Sequence, residues 1–265
     1  MDKALTGEQI EQFNRDGYLV FRRLATQTIC DRMLSVAKRH LRDAIAPVEY
    51  EAELGYPGAP DSLDAPGGRT IRRLRAAYQR DACYRTWADD AGLQTKLAQL
   101  LNEPVRVALA HHNCVMTKHP NFGTATSWHR DIRYWSFTRP DLISVWLALG
   151  PETPINGGLK FIPGSHRLKI EAEQLDALDF LRPDLPQNQL LFAQGLSLEL
   201  QKGDVVFFHS GLFHAAGRND GGTTKISVVF AYRGQSNLPL AGSRSEAGES
   251  TAAGLPPSMQ HYPSA

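Results

Sequence analysis

Apolar residues recur along this chain with two different periods, and the change from one to the other falls near residue 104. Before that point the period is helical. Thr6 stands three residues ahead of Gln9, the spacing of a capping box, and Ile10 and Phe13 share a face before Gly17, which predicts a helix over residues 5–17. YLVFRRL then reads as a short strand. From Gln27 to about Ile45, the residues Ile29, Met33, Leu34, Val36, Ala37 and Leu41 recur at helical spacing and predict a second amphipathic helix. Residues 46–68 are dense in proline and glycine with acidic residues between, the composition of a long irregular connection suited to bordering a substrate entrance. A further helix is predicted over residues 83–101, ending before Asn102 and Pro104.

From Val105 onward the period shortens to that of strands: VRVALAHHNCVMTKH, SWHRDIRYW, LISVWLALG, GLKFIPGSH, LSLEL, DVVFFHS and KISVVFAYR. Turn signals at Asn156-Gly157-Gly158, Pro163-Gly164 and Gly221-Gly222 separate several of them. Many short strands with regular punctuation predict a β-sandwich or jelly roll, so the chain is expected to be mainly β with N-terminal helices. A single domain is expected over residues 1–235, with a helical part to about 104 and a jelly-roll core over about 105–235. Residues 236–265 lack periodicity and are rich in Ser, Ala, Gly and Pro, the composition of a flexible tail.

Charge and cysteine content narrow the classes of partner. Lys and Arg number 29 against 28 Asp and Glu, a net charge of +1 that supplies no field for gathering nucleic acid or anionic lipid. Cys30, Cys83 and Cys114 are widely separated and form no C-x-x-C pair, as expected of reduced thiols in a cytoplasmic protein. No signal-like N-terminus and no apolar run approaching the ~20 residues of a membrane span is present, so no membrane association is expected.

The chemistry concentrates in two of the strand-like runs. In TSWHRDIRYW, strand alternation places His129 and Asp131 on one face, about 6–7 Å apart along the chain, so both side chains reach one ion. DVVFFHSGLFHAAGRN supplies a third candidate, His214, just beyond an apolar strand, with His209 as its competitor. Two histidines and a carboxylate form a facial triad that leaves open positions on the metal, the arrangement of non-haem Fe(II) oxygenases. An isolated H-x-D is weak evidence, since a strand histidine beside a surface aspartate is the commoner meaning.

The surrounding residues carry more. LTGEQIEQFNRDGYLVF at the start, WHRD, the strand ending in Val145-Trp146-Leu147, NGGLKFIPGSH and KGDVVFFHSGLFHAAGRN together resemble the phytanoyl-CoA dioxygenase (PhyH-like) family, over nearly everything from Leu5 to Tyr232. That resemblance implies a double-stranded β-helix of the jelly-roll, cupin-like kind and an oxygenase using Fe(II), 2-oxoglutarate and O2 on a small molecule. It assigns His129, Asp131 and His214 as the iron ligands and leaves His209 as a packing residue. His111, His112, His119 and His166 are then expected to be hydrogen-bonded strand or loop histidines.

The far carboxylate of 2-oxoglutarate needs a fixed cation and a hydroxyl. Lys225 and Ser227 alternate onto one face of KISVVFAYR, eleven and thirteen residues after His214. The family's cation at this place is usually arginine, and lysine lacks its planar two-pronged fork. Three alternatives follow: Lys225 binds the co-substrate, Arg218 or Arg233 takes over, or a different 2-oxo acid is used. The first is expected. By resemblance Lys118 and Trp146 also line the co-substrate.

The implied reaction is oxidative decarboxylation of 2-oxoglutarate to succinate and carbon dioxide coupled to oxidation of an unactivated C–H bond, hydroxylation by default. Asp131 argues against halogenation, which needs that coordination position vacated for halide. Arg133 and Tyr134, following the H-x-D, are candidate substrate contacts, alternation placing Arg133 on the same inward face as His129 and Asp131, with an internal ion pair as the alternative for Arg133. Arg69, Arg72, Arg73, Arg75 and Arg80 either receive an anionic substrate or form one face of a solvated helix. The competing classes are a cupin-like protein holding zinc, manganese or nickel without oxygenase activity, and a scaffold that keeps the fold without turnover.

Overall fold

The structure is a computed structural model that describes residues 4–247. Its helices are α1 (Gly7–Asp16), α2 (Gln27–Arg42), α3 (Ala77–Arg80), α4 (Ala82–Ala88), α5 (Ala91–Leu101) and α6 (Pro186–Phe192). Its strands run from β1 (Tyr18–Phe21), β2 (Val48–Tyr50) and β3 (Ile71–Arg75) through β4 (Val105–Val107), β5 (Asn113–Lys118) and β6 (Thr126–His129). They continue with β7 (Leu142–Ala148), β8 (Leu159–Phe161), β9 (Leu196–Ser197), β10 (Val205–His209), β11 (His214–Ala216) and β12 (Lys225–Gly234).

These strands form two antiparallel sheets, a large one in the order β1-β10-β7-β12-β5-β3-β2, with β4 also on β12, and a small one in the order β6-β11-β8-β9. That is the expected jelly roll. The large sheet is covered on both faces, which explains why β7 and β12 are buried along their whole length and read as continuous apolar runs. Alternation along β12 sorts the two layers. Val228, Phe230 and Tyr232 face the helices beside Phe13, Met33 and Leu97, whereas Val229 faces the small sheet beside Trp146, Phe161 and Phe208. The polar residues Lys225 and Ser227 share Val229's face, so β12 carries charge into the space between the sheets.

Helix α1 forms as predicted, with the reciprocal Thr6–Gln9 capping box present and Gly17 closing it in the left-handed region at φ 82°. A side chain at Gly17 would also meet the His166 ring, its Cβ falling 2.5 Å from Nδ1.

Four expectations need correction. Residues 83–101 form two helices, because Asp81 and Asp90 each cap a new N-terminus by accepting from Cys83 N and Leu93 N. The arginine run is not a helix face: Ile71–Arg75 is a strand, and Arg72 is buried against Glu51 at 3.3 Å. The connection over residues 46–68 contains β2, which pairs with β3 and extends the large sheet. Within the expected tail, residues 236–247 are packed: Asn237 and Ser245 are fully buried and Pro239 bridges to Phe137, while residues 248–265 lie outside those described. Cys30, Cys83 and Cys114 are free and buried, and burial pushes their thiols up to about 11, 12 and 11.

Candidate metal centre

His129 ends β6 and His214 opens β11, and the two residues are direct register partners in the small sheet. This pairing sets their rings 4.1 Å apart, centroid to centroid. Asp131 enters differently from the expected strand alternation. The strand stops at His129, Arg130 remains extended, and Asp131 begins a single 3-10 turn over Asp131–Tyr134, secured by Ile132 N–H donating to Ser210 O at 3.1 Å. The turn brings Asp131 Oδ1 to 3.5 Å from His214 Nε2 and 3.9 Å from His129 Nε2. One donor atom from each residue lies within 4.8 Å of the others, and all three residues are buried.

The hydrogen bonds around these side chains leave the right atoms free. His129 Nδ1 donates to Ser127 O at 2.8 Å and His214 Nδ1 to Leu212 O at 3.0 Å. Each ring therefore carries its proton on Nδ1 and turns the Nε2 lone pair inward. Burial, then the neighbouring His214, holds His129 well below the usual histidine range, so it is neutral as a ligand must be. Asp131 Oδ2 accepts from the Ser144 hydroxyl at 3.0 Å and lies 3.3 Å from His112 Nδ1, which fixes the carboxylate with Oδ1 toward the histidines. A metal ion with nitrogen and oxygen preference fits this donor set. His209 is turned away: its Nδ1 accepts from Gly211 N, its Nε2 is 3.7 Å from Asp141, and its ring packs on His166.

His112 and Ser144 are the neighbours that sequence reading missed. Ser144 is a small residue in an apolar strand, and His112 looked like one more strand histidine, although its φ of 23° marks a held, uncommon backbone. Ser144 lies on β7 and His112 just ahead of β5, the two strands that flank β12 in the large sheet, and both bond Asp131 Oδ2 or lie beside it.

A cavity of about 810 Å³ opens onto His129, Asp131 and His112, with Tyr56, Arg73 and Trp135 in its wall. Part of its wall comes from residues 47–56 of the 46–68 connection and from 73–76, and the rest comes mostly from residues 109–114 and 129–135. Arg73 pairs with Glu49 at 2.8 Å there. Arg133 is not aligned with the two ligands on a strand face. It donates to Leu178 O, reaches Tyr56 Oη at 3.4 Å and lies 4.1 Å over the Phe180 ring, which itself stands edge-on to His129. The Tyr134 side chain lies outside what is described.

At the other end of the space between the sheets, Lys225 and Ser227 do share a face with Lys118 and Trp146, but a carboxylate of the protein is already among them. Glu152, wholly buried, accepts from Ser227 Oγ at 2.6 Å and from Trp146 Nε1 at 3.0 Å, and lies 3.2 Å from Lys225 Nζ. Lys118 Nζ donates to Thr124 O at 2.7 Å, and burial with Arg72 and Lys225 nearby drives its pKa well down. Neither alternative cation comes here. Arg218 is exposed and donates to Asn121 O, and Arg233 donates to the carbonyls of Gly234, Gln235 and Asn237.

The sequence model of the phytanoyl-CoA dioxygenase (PhyH) family matches residues 13–227, most of the chain and every residue of the site. The chain belongs to the phytanoyl-CoA dioxygenase family. Within that family it is 24% identical over 251 residues to an ectoine dioxygenase of Bordetella bronchiseptica, spanning 88% of this chain and 77% of that protein. It is likewise 24% identical over 233 residues to the peroxisomal phytanoyl-CoA dioxygenase of Rattus norvegicus, spanning 82% of this chain and 65% of the rat protein. Among solved structures, EctD from S. alaskensis with 2-oxoglutarate and 5-hydroxyectoine superposes with a TM-score of 0.73 at 20% identity, over 89% of this chain and 78% of that one. The jelly roll is the fold of these solved relatives.

Proposed function

We propose that the protein is an Fe(II)- and 2-oxoglutarate-dependent dioxygenase that oxidises a C–H bond of a small polar molecule. The observation that carries the reading is the convergence of His129, Asp131 and His214, whose donor atoms lie within 4.8 Å of one another, beside a cavity of about 810 Å³ that His129 and Asp131 line. Iron bound there with a 2-oxo acid supplies the oxidation, the 2-oxo acid being decarboxylated as its share of the reaction. The chain's own residues do the rest. Ser144 and His112 hold the carboxylate ligand, and the two Nδ1–H bonds lock the ring tautomers.

The cavity volume lies in the range of small-molecule sites, about 300–1,000 Å³. Arg73 and Glu49 place both charge signs in its wall, which suits a substrate carrying polar or zwitterionic groups. Trp135 supplies a flat apolar surface beside them. Arg133 bonds Tyr56, a residue of the cavity wall, and Leu178 O and lies over the Phe180 ring, and this closeness to the cavity supports a substrate-contact role for it.

His129→Ala tests the metal assignment. The variant is expected to lose iron after gel filtration and to consume no oxygen with any substrate, whereas iron retained at full occupancy would remove His129 from the site. The non-oxygenase alternative gains one point from the structure, the presence of Glu152 on Lys225.

A further inference from the structure

The interior face of the large sheet presents Lys225, Ser227 and Trp146 as an ammonium, a hydroxyl and an indole N–H within reach of one carboxylate, and Glu152 is that carboxylate. Its two oxygens use the set fully: Oε1 takes Ser227 and the indole, and Oε2 takes Lys225 and the indole at 3.2 Å. The Glu152 backbone is also fixed, because its N–H donates to Leu200 O and its carbonyl accepts from Leu200 N, both at 2.9 Å. A displaced side chain therefore has only its own rotamers to move through.

We propose that Glu152 is a specificity-determining residue for the co-substrate: it fills the subsite for the far carboxylate of the 2-oxo acid and weakens 2-oxoglutarate relative to 2-oxo acids that end without a second carboxylate. The inference rests on the dioxygenase reading and deepens it. A second carboxylate entering this buried region meets a like charge on a lysine that already donates to Glu152 and Ser227, and it must either displace Glu152 or leave its own charge poorly paired. Lys118, in register with Lys225 on this face, is held aside on the Thr124 carbonyl, and Arg73, on the same face two strands away, pairs with Glu49. A 2-oxo acid such as pyruvate makes no demand on the subsite, so its affinity is set by the metal end alone.

The same argument accounts for lysine at a position where the family's usual cation is arginine. Pairing with a glutamate of the chain asks for one compact charge beside Ser227, not the fork that a free carboxylate prefers. Glu152 and Lys225 form one internal unit, and removing the glutamate's charge while keeping its shape should return the subsite to an incoming anion.

The test is equilibrium binding to the Fe(II)-loaded protein without oxygen, following the visible charge-transfer band of the chelate and checking by calorimetry. 2-Oxoglutarate and pyruvate are titrated into the wild type, Glu152→Gln and Glu152→Val, the second covering the case in which the first fails to fold. The expected result is that the substitution tightens 2-oxoglutarate on the order of tenfold or more while pyruvate moves by less than about twofold. An unchanged ratio of the two dissociation constants, or a looser 2-oxoglutarate in both variants, would overturn the proposal and leave the dioxygenase reading standing. Iron binding with no band from either acid in any of the proteins would instead overturn the dioxygenase reading and this inference with it.

Discussion

Asp131 owes its orientation to Ser144 and His112 on Oδ2, with Oδ1 left toward the two histidines. Removing the hydroxyl leaves the carboxylate free to rotate and to accept from His112 alone, so Ser144→Ala should weaken metal affinity about 10–100-fold with the fold intact. Competition with a chelator of known affinity measures this; unchanged affinity would make Ser144 a packing residue. Lys225 carries a different expectation. Because it balances Glu152 at almost complete burial, Lys225→Ala strands a buried carboxylate and should cost about 3–5 kcal/mol in a denaturant titration. The double variant Lys225→Met, Glu152→Val should recover most of that loss, since it removes both charges together. At this scale the sequence was legible where chemistry is local: His129 and Asp131 show as an H-x-D pair, while the family resemblance was needed to give that pair weight and to choose His214 over His209. It was illegible where a partner arrives from elsewhere, as Glu152 does across 73 positions to reach Lys225.

At the level of elements, the strongest pattern matches belong to those with one clear period. Helix α1 carries its capping box and β12 its continuous apolar run, and both appear where periodicity puts them. β3 was hidden because three of its five residues are arginines; Glu51 pairs with Arg72 and Glu49 with Arg73, brought in by the turn after β2 and by β2, which helps a sheet tolerate that charge. The break between α4 and α5 was legible in retrospect, in Asp81 and Asp90 as caps nine residues apart. Composition misled most at residues 236–247. Polar residues there are bonding partners, not solvent-facing filler: Asn237 Oδ1 accepts from Arg139 N–H at 2.8 Å and Thr138 Oγ1 at 3.0 Å, and its Nδ2 donates to Arg139 O. Ser245 Oγ likewise accepts from Ser136 N–H and bonds His111 Nε2. Asn237→Ala should therefore destabilise the protein by about 2–3 kcal/mol, because it leaves several buried groups unpaired. A midpoint shift within error in thermal or denaturant unfolding would show that this segment contributes little.

For the molecule as a whole, the jelly roll follows from strand count and turn spacing, and family membership fixes which strands pair. The site sits where the two sheets meet. Its histidines belong to the small sheet through β6 and β11, and its carboxylate is tied to the large sheet through Ser144 on β7 and His112 ahead of β5. Part of the wall of the cavity beside it comes from residues 47–56, a stretch without a clear period, and that makes substrate choice the least legible property of the sequence.

That straddling position gives the ion a mechanical part. Four short strands of the small sheet are joined to the rest by loops and by packing, and β9 contributes only two residues to it. A divalent ion held by both layers acts as a rivet through them, and ligand binding to the folded state alone stabilises it by mass action. Stripping the metal should then speed amide exchange in β6 and β11 while leaving β7 and β12 protected, a pattern that exchange mass spectrometry resolves strand by strand. Iron supply would in that case govern how long the protein lasts as well as how fast it works.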